Sequence, residues 1–68
     1  MRSVTLNGRL HPLPASTVTV ADLIRELGLQ GKRIAVEMNG DIVPRSRHAE
    51  TVVTPGDKLE IVAAVGGG

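Results

Sequence analysis

The sequence predicts one small α+β domain in which a mixed β-sheet of four to five strands curls around a single helix. Its 68 residues allow one domain and no more. One helix-spaced apolar stripe lies between pairs of short alternating runs, and two Asn-Gly turns join those runs. A single stripe can cover only one sheet face. The order strand, strand, helix, strand, strand is that of the β-grasp fold.

The first hairpin is predicted around Asn7 and Gly8, which both tolerate the positive φ of a two-residue turn. Pro12 cannot donate a ladder hydrogen bond, so the second strand is expected at a sheet edge. A two-residue turn places Leu10 on the face opposite Leu6. Either Leu10 is exposed, or the turn contains a bulge.

A helix of about nine residues is predicted between Thr19 and Gly28. Thr19 followed by Asp22 is typical of an N-cap with an acid in the first turn, and Gly28 suits the C-terminal end. The predicted apolar stripe consists of Val20, Leu23, Ile24 and Leu27.

The second half of the chain is predicted to be mainly extended. Residues 34–38 and 58–65 alternate between apolar and polar, as a half-buried strand does. Short strands are expected at residues 42–43 and 51–54, with a polar, basic loop containing a helical turn at residues 44–50.

Composition excludes several function classes. Eight Lys plus Arg against seven Asp plus Glu is too balanced for a phosphate-backbone binder. Cysteine is absent, which removes disulfides and thiolate chemistry, and there are no aromatic residues to stack bases. No apolar run approaches the roughly 20 residues of a membrane helix. We therefore expect a cytoplasmic protein with no nucleic-acid or membrane partner.

No set of side chains predicts catalysis or metal binding. The carboxylates are scattered over turns and outward strand positions. His11 and His48 share no motif and are expected on the surface.

The glycine run is the exception, because three glycines directly follow the last predicted strand. We expect residues 1–65 to form the domain and residues 66–68 to form a flexible tail. A frayed end or an expression scar is the plain explanation. The alternative is chemical: glycines can thread a narrow channel, and a terminal carboxylate can be adenylated.

Strand parity predicts a partner interface beside this tail. Leu59 and Ile61 should face the helix, which leaves the alternate residues of the same strand facing outward. The predicted interface consists of an apolar patch rimmed by two acids and continued toward the tail: Val62, Ala64, Ala35, Glu37, Glu60 and Val65.

Residues 35–68 resemble the ThiS family, the sulfur carriers of thiazole formation in thiamine biosynthesis. The resemblance lies in VEMNGDIVPR, PGDKLEIV and the strand that runs into AVGGG. The earlier segments VTLNGRL and TVTVADLIREL are similar to the family as well. His48 departs from the pattern, because the family commonly has tryptophan there. We expect this to change local packing or a contact and to leave the chemistry intact.

The resemblance implies a ubiquitin-like carrier that catalyses nothing itself and binds no permanent cofactor. A ThiF-type adenylating enzyme would use ATP to activate Gly68. For this activation, the tail Gly66, Gly67 and Gly68 would thread into the enzyme. Sulfur from a cysteine desulfurase or persulfide relay would then give a Gly68 thiocarboxylate. Thiazole synthase, ThiG, would take up that sulfur.

Three alternatives stay open at this point. The small subunit of molybdopterin synthase has the same tail chemistry on the same fold. An unmodified ubiquitin-like interaction module would not need its glycines. A small enzyme is the third possibility and would need residues such as His48 or Glu37 for turnover.

Overall fold

A computed structural model of the chain describes residues 2–14 and 17–63, which form seven strands and one helix. The strands are β1 (Ser3–Leu6), β2 (Arg9–Pro12), β3 (Val18–Thr19), β4 (Ile34–Met38), β5 (Asp41–Val43), β6 (Val52–Val53) and β7 (Lys58–Ala63). Helix α1 spans Val20–Glu26, and a short 3₁₀ turn spans Arg45–Arg47.

Five strands form one mixed sheet in the order β2-β1-β7-β4-β5. The β1–β7 pair is parallel, and the other three pairs are antiparallel. β3 and β6 make a separate two-stranded antiparallel sheet. This topology confirms the predicted α+β, β-grasp arrangement. Within residues 2–14 and 17–63, no helix has the length and hydropathy needed to cross a membrane.

Helix α1 is held by local hydrogen bonds at both ends. At its start, Thr19 Oγ1 accepts from the Asp22 N–H at 3.1 Å, and Asp22 Oδ2 accepts from the Thr19 N–H at 3.0 Å. At its end, the Gly28 and Leu29 N–H groups donate to the carbonyls of Arg25 and Ile24, and Gly28 has φ +74. This is a Schellman motif. It ends the helix after seven residues, two fewer than the sequence predicted.

The core lies between α1 and the inner face of the five-stranded sheet. Three of the four predicted stripe residues are buried, and Leu27 packs against the core while partly exposed. The buried apolar side chains are Val4, Leu13, Val18, Val20, Leu23, Ile24, Val36, Val43, Val53, Leu59 and Ile61.

Both Asn-Gly pairs form two-residue turns with positive φ. The values are +51 and +83 at Asn7 and Gly8, and +53 and +89 at Asn39 and Gly40. The β1–β2 register runs without interruption, so the turn contains no bulge. Leu10 is therefore exposed, at 76% of its surface. β2 lies at the sheet edge, as its proline predicts.

Some elements differ from the sequence prediction: β5 begins at Asp41 rather than at residue 42, and β6 covers Val52–Val53 rather than residues 51–54. Residues 18–19, which the sequence suggested only as the approach to the helix, form β3 against β6. The last strand is described as far as Ala63, so its predicted end at residue 65 lies outside the described residues. The predicted tail, residues 66–68, lies outside the described residues.

Candidate functional site

Strand β7 is the centre of the sheet and leads toward the glycine run. It lies between β1 and β4. Leu59 and Ile61 are buried on the helix side, whereas Glu60 and Val62 are exposed on the other side. The strand therefore faces the way that its alternation predicts.

The outer face of β4 and β7 contains four of the six predicted interface residues, and we call these four the outer patch. Ala35 lies opposite Val62, and Glu37 lies opposite Glu60 in the antiparallel register. Val62 is 62% exposed, and Glu37 is partly buried. Their role as an interface stays a prediction, and the other two residues, Ala64 and Val65, lie outside the described residues.

The two glutamates of the outer patch are like charges in directly opposed positions. Neither forms an ion pair within residues 2–14 and 17–63. Directly opposed like charges destabilise a sheet, by about 0.2–1 kcal/mol for a cross-strand pair. Folding gains nothing from this pair, which leaves a negative rim available to a partner.

Asn7 fixes the strand that leads to the glycine run. Its backbone N–H donates to the Leu59 carbonyl at 2.9 Å, which continues the β1–β7 ladder. Its side chain then acts as one further peptide group: Oδ1 accepts from the Ile61 N–H at 2.8 Å, and Nδ2 donates to the Ile61 carbonyl at 3.1 Å. Sequence analysis identified Asn7 only as a turn former, since its partner lies 54 residues away.

The second Asn-Gly turn is fixed to the start of β7 in a related way. Asn39 Oδ1 accepts from the Lys58 N–H at 2.9 Å, and Nδ2 donates to Asp57 Oδ1 at 3.0 Å. Asp57 Oδ2 also accepts from the backbone N–H and hydroxyl of Thr54. Partial burial acts to raise the pKa of Asp57. The hydrogen bonds from Thr54 and Asn39 outweigh it, so the pKa lies below its ordinary value of 3.8.

His48 is buried, at 8% exposed, and its predicted surface position is wrong. Its Nε2 lies 3.1 Å from the Val43 carbonyl oxygen. Because a carbonyl can only accept, this nitrogen donates. The backbone carbonyl of His48 accepts from the Ala21 N–H at 2.9 Å, which joins the loop to the start of α1. The residue thus has a packing role under the loop, at the position where the sequence departs from the ThiS pattern.

The second histidine, His11, also has a structural contact. His11 Nε2 lies 3.1 Å from Glu26 Oε1 and connects the edge strand β2 to α1. In the part of the chain that the structure describes, no three His, Cys, Asp or Glu side chains are grouped so that they could hold a metal ion.

Comparison with known proteins identifies the family. The family described as "ThiS family" matches residues 4–68, almost the whole chain and all of the glycine run. The chain belongs to the ThiS family. ThiS from Geobacter metallireducens, in its crystal structure, has a TM-score of 0.82 and 31% sequence identity, with 97% of this chain and 99% of that chain covered.

The chain is similar both to a sulfur carrier protein and to part of a thiazole synthase. The sulfur carrier protein ThiS of Bacillus subtilis is 36% identical over 63 residues, which cover 93% of this chain and 96% of that protein. A thiazole synthase of Paramagnetospirillum magneticum is 48% identical over 65 residues, which cover 96% of this chain. The chain spans only 20% of the length of that thiazole synthase, so a ThiS-like segment makes up a fifth of it.

Proposed function

We propose that this chain is a sulfur carrier for thiazole formation in thiamine biosynthesis, and that it is a substrate of its partners rather than a catalyst. A Gly68 carboxylate oxygen attacks the α-phosphate of ATP on a ThiF-type enzyme, which forms an acyl-adenylate and releases pyrophosphate. A persulfide from a cysteine desulfurase or relay protein displaces AMP. A thiol then cleaves the S–S bond and leaves the Gly68 thiocarboxylate.

One observation carries this proposal: the family match extends over residues 4–68 and so includes the glycine run. The alignment with the Bacillus subtilis sulfur carrier supports it, because it covers 96% of that protein. The described residues support it, since Asp22 is used in a helix cap, Asp57 in a turn, and His11 in a contact between β2 and α1. A reactive chain end needs no catalytic side chain on the carrier.

Thiazole synthase is the proposed acceptor of the sulfur. The chain is 48% identical to a segment of a thiazole synthase, which supports thiazole synthase as the acceptor. This favours the ThiS function over the small subunit of molybdopterin synthase, which delivers its sulfur to a different enzyme.

The outer patch is the proposed docking surface for these enzymes. It lies on the face that α1 does not cover, in the strand that leads toward the glycine run. An enzyme that binds residues 66–68 must approach this part of the sheet. Protein interfaces concentrate their binding energy in a few central residues, and Val62 is the largest exposed apolar side chain of the patch.

The chemistry is tested by the intact mass of the chain after incubation with a ThiF-type enzyme, ATP, cysteine and a cysteine desulfurase. We expect one oxygen to be replaced by sulfur, with the change located in the C-terminal peptide. Omitting ATP should leave the mass unchanged. Bacillus subtilis ThiS serves as the positive control, and sulfur transfer to that protein alone would refute the proposal.

Two substitutions separate the tail from the docking surface. Gly67→Val should leave the melting temperature unchanged and abolish adenylation, because a branched side chain obstructs a channel shaped for glycine. Val62→Asp should weaken binding to the adenylating enzyme by about 1–2 kcal/mol or more. Full-rate adenylation of the Gly67 variant, or unchanged binding of the Val62 variant, would contradict the corresponding half of the proposal.

A further inference from the structure

A surface groove of about 650 Å³ lies between helix α1, the start of β4 and the 3₁₀ turn. We call it the basic groove. Its apolar side chains include Ile24, Leu29 and Ile34, and it extends to Ala35 and Val62 of the outer patch. Most of its described lining residues are exposed, so the groove is open at the surface rather than enclosed.

The described charged side chains that line this groove are all basic. Its lining includes Arg25, Lys32, Arg33 and Arg45, and no aspartate or glutamate among the described residues. Arg25 is paired with Asp22 at 3.3 Å. The other three cations form no ion pair within residues 2–14 and 17–63. On a chain whose net charge is only +1, this is a local excess of positive charge beside apolar surface.

An unpaired strand edge borders the same groove. β5 pairs with β4 from Val36 to Met38 only, because Pro44 follows directly after Val43 and β5 ends there. Residues 34–35 consequently pair with β7 alone. This short stretch of unpaired edge can offer backbone hydrogen bonds to an extended peptide that lies in the groove.

We propose that the basic groove binds an extended, acidic segment of a partner protein. An apolar side chain of that segment lies on Ile24 and Ile34, and its carboxylates pair with Lys32, Arg33 and Arg45. Nucleic acid fits less well, because the chain has no aromatic residue on which a base could stack. This site adjoins the outer patch, with which it shares Ala35 and Val62, and it does not depend on the tail chemistry.

The test is an amide NMR titration of the isotope-labelled full chain with a short peptide of two leucines flanked by glutamates. The expected result is a set of shifts confined to residues 21–25, 29–35 and 45–49 and to Val62, which together line the groove. Binding should weaken as the ionic strength rises from about 0.01 M to about 0.15 M, where screening shortens to roughly 8 Å. A matched peptide with glutamine in place of glutamate should bind at least roughly fivefold more weakly.

The second part of the test reverses single charges on the protein. Arg33→Glu and Arg45→Glu should each weaken peptide binding roughly fivefold or more. Arg9→Glu is the control, since Arg9 is an exposed cation on the far edge strand β2. Equal effects at all three positions, equal binding of the glutamine peptide, or shifts outside the groove would overturn the proposal. Tighter binding of an oligothymidine at the same residues would assign the groove to nucleic acid instead. None of these results depends on thiocarboxylate formation.

Discussion

Replacing valine by threonine at Val36 and at Val62 tests which face of the sheet is packed and which is free. The two residues lie in neighbouring strands, with Val36 opposite Ile61 and Val62 opposite Ala35. Their side chains are 1% and 62% exposed. Threonine is close to valine in shape and equally suited to a strand, so the exchange alters polarity with little change of volume.

The expected magnitudes follow from the two environments. At Val36 the hydroxyl enters a core in which His48 is the single buried polar side chain among the described residues. A buried hydroxyl without a partner costs about 1–3 kcal/mol. A chain of this size has about 3–10 kcal/mol of total stability, so the loss is substantial. At Val62 the change should stay within about 0.5 kcal/mol.

Urea unfolding followed by circular dichroism measures both variants. With a slope near 1 kcal/mol/M, Val36→Thr should lower the midpoint by about 1 M or more, and Val62→Thr should leave it nearly unchanged. A larger loss at Val62 than at Val36 would mean that the facing of β4 and β7 is reversed. Equal losses would mean that the outer face is covered in the isolated chain.

Three further predictions follow from individual contacts. Asn7→Gly keeps the positive-φ turn and removes both side-chain hydrogen bonds to Ile61, so hydrogen exchange at the Ile61 amide should accelerate by roughly fivefold to tenfold; an unchanged rate would contradict the role of Asn7 in fixing β7. His48→Ala should lower the free energy of unfolding by about 1–3 kcal/mol, and Arg47→Ala, at an exposed neighbour, by less than about 0.5 kcal/mol; similar losses would refute the packing role of His48. The pKa of Asp57 is lower in the folded state than its ordinary value of 3.8. The Asp57 carboxylate therefore stabilises the fold at any pH above 3.8, and this stabilisation is lost as the pH falls through the lower folded-state pKa. Asp57→Asn should therefore be less stable than the unmodified chain at neutral pH, with a difference that shrinks below about pH 4 in urea titrations; a constant difference would contradict this assignment.

The sequence predicted those features that depend on neighbours along the chain. The α1 caps use residues three to five apart, and each Asn-Gly turn is a property of two adjacent residues. The facing of β7 follows from alternation alone, which is why Leu59 and Val62 are on the predicted sides.

Features that depend on distant partners could not be predicted in this way. β3 exists only because Val18 meets Val53 across the fold, and two residues carry no periodicity. His48 is buried because its loop returns over the start of α1 and aims the ring at the Val43 carbonyl, and no pattern within residues 44–50 indicates that return. The basic groove likewise combines cations from three separate segments.

Folding of the isolated domain explains the residues on the inner face of the sheet but not those on the outer face. The inner face is explained by folding alone, because every buried side chain there contributes apolar area to the core. The outer face carries exposed Leu10, Ile42 and Val62 and the opposed pair of Glu37 and Glu60, none of which strengthens the isolated domain. Exposed apolar side chains next to unpaired charges contribute favourable binding free energy when a complementary protein surface covers them. Docking on the outer patch would cover Val62 and give Glu37 and Glu60 a complementary surface, beside the strand that leads toward the glycine run.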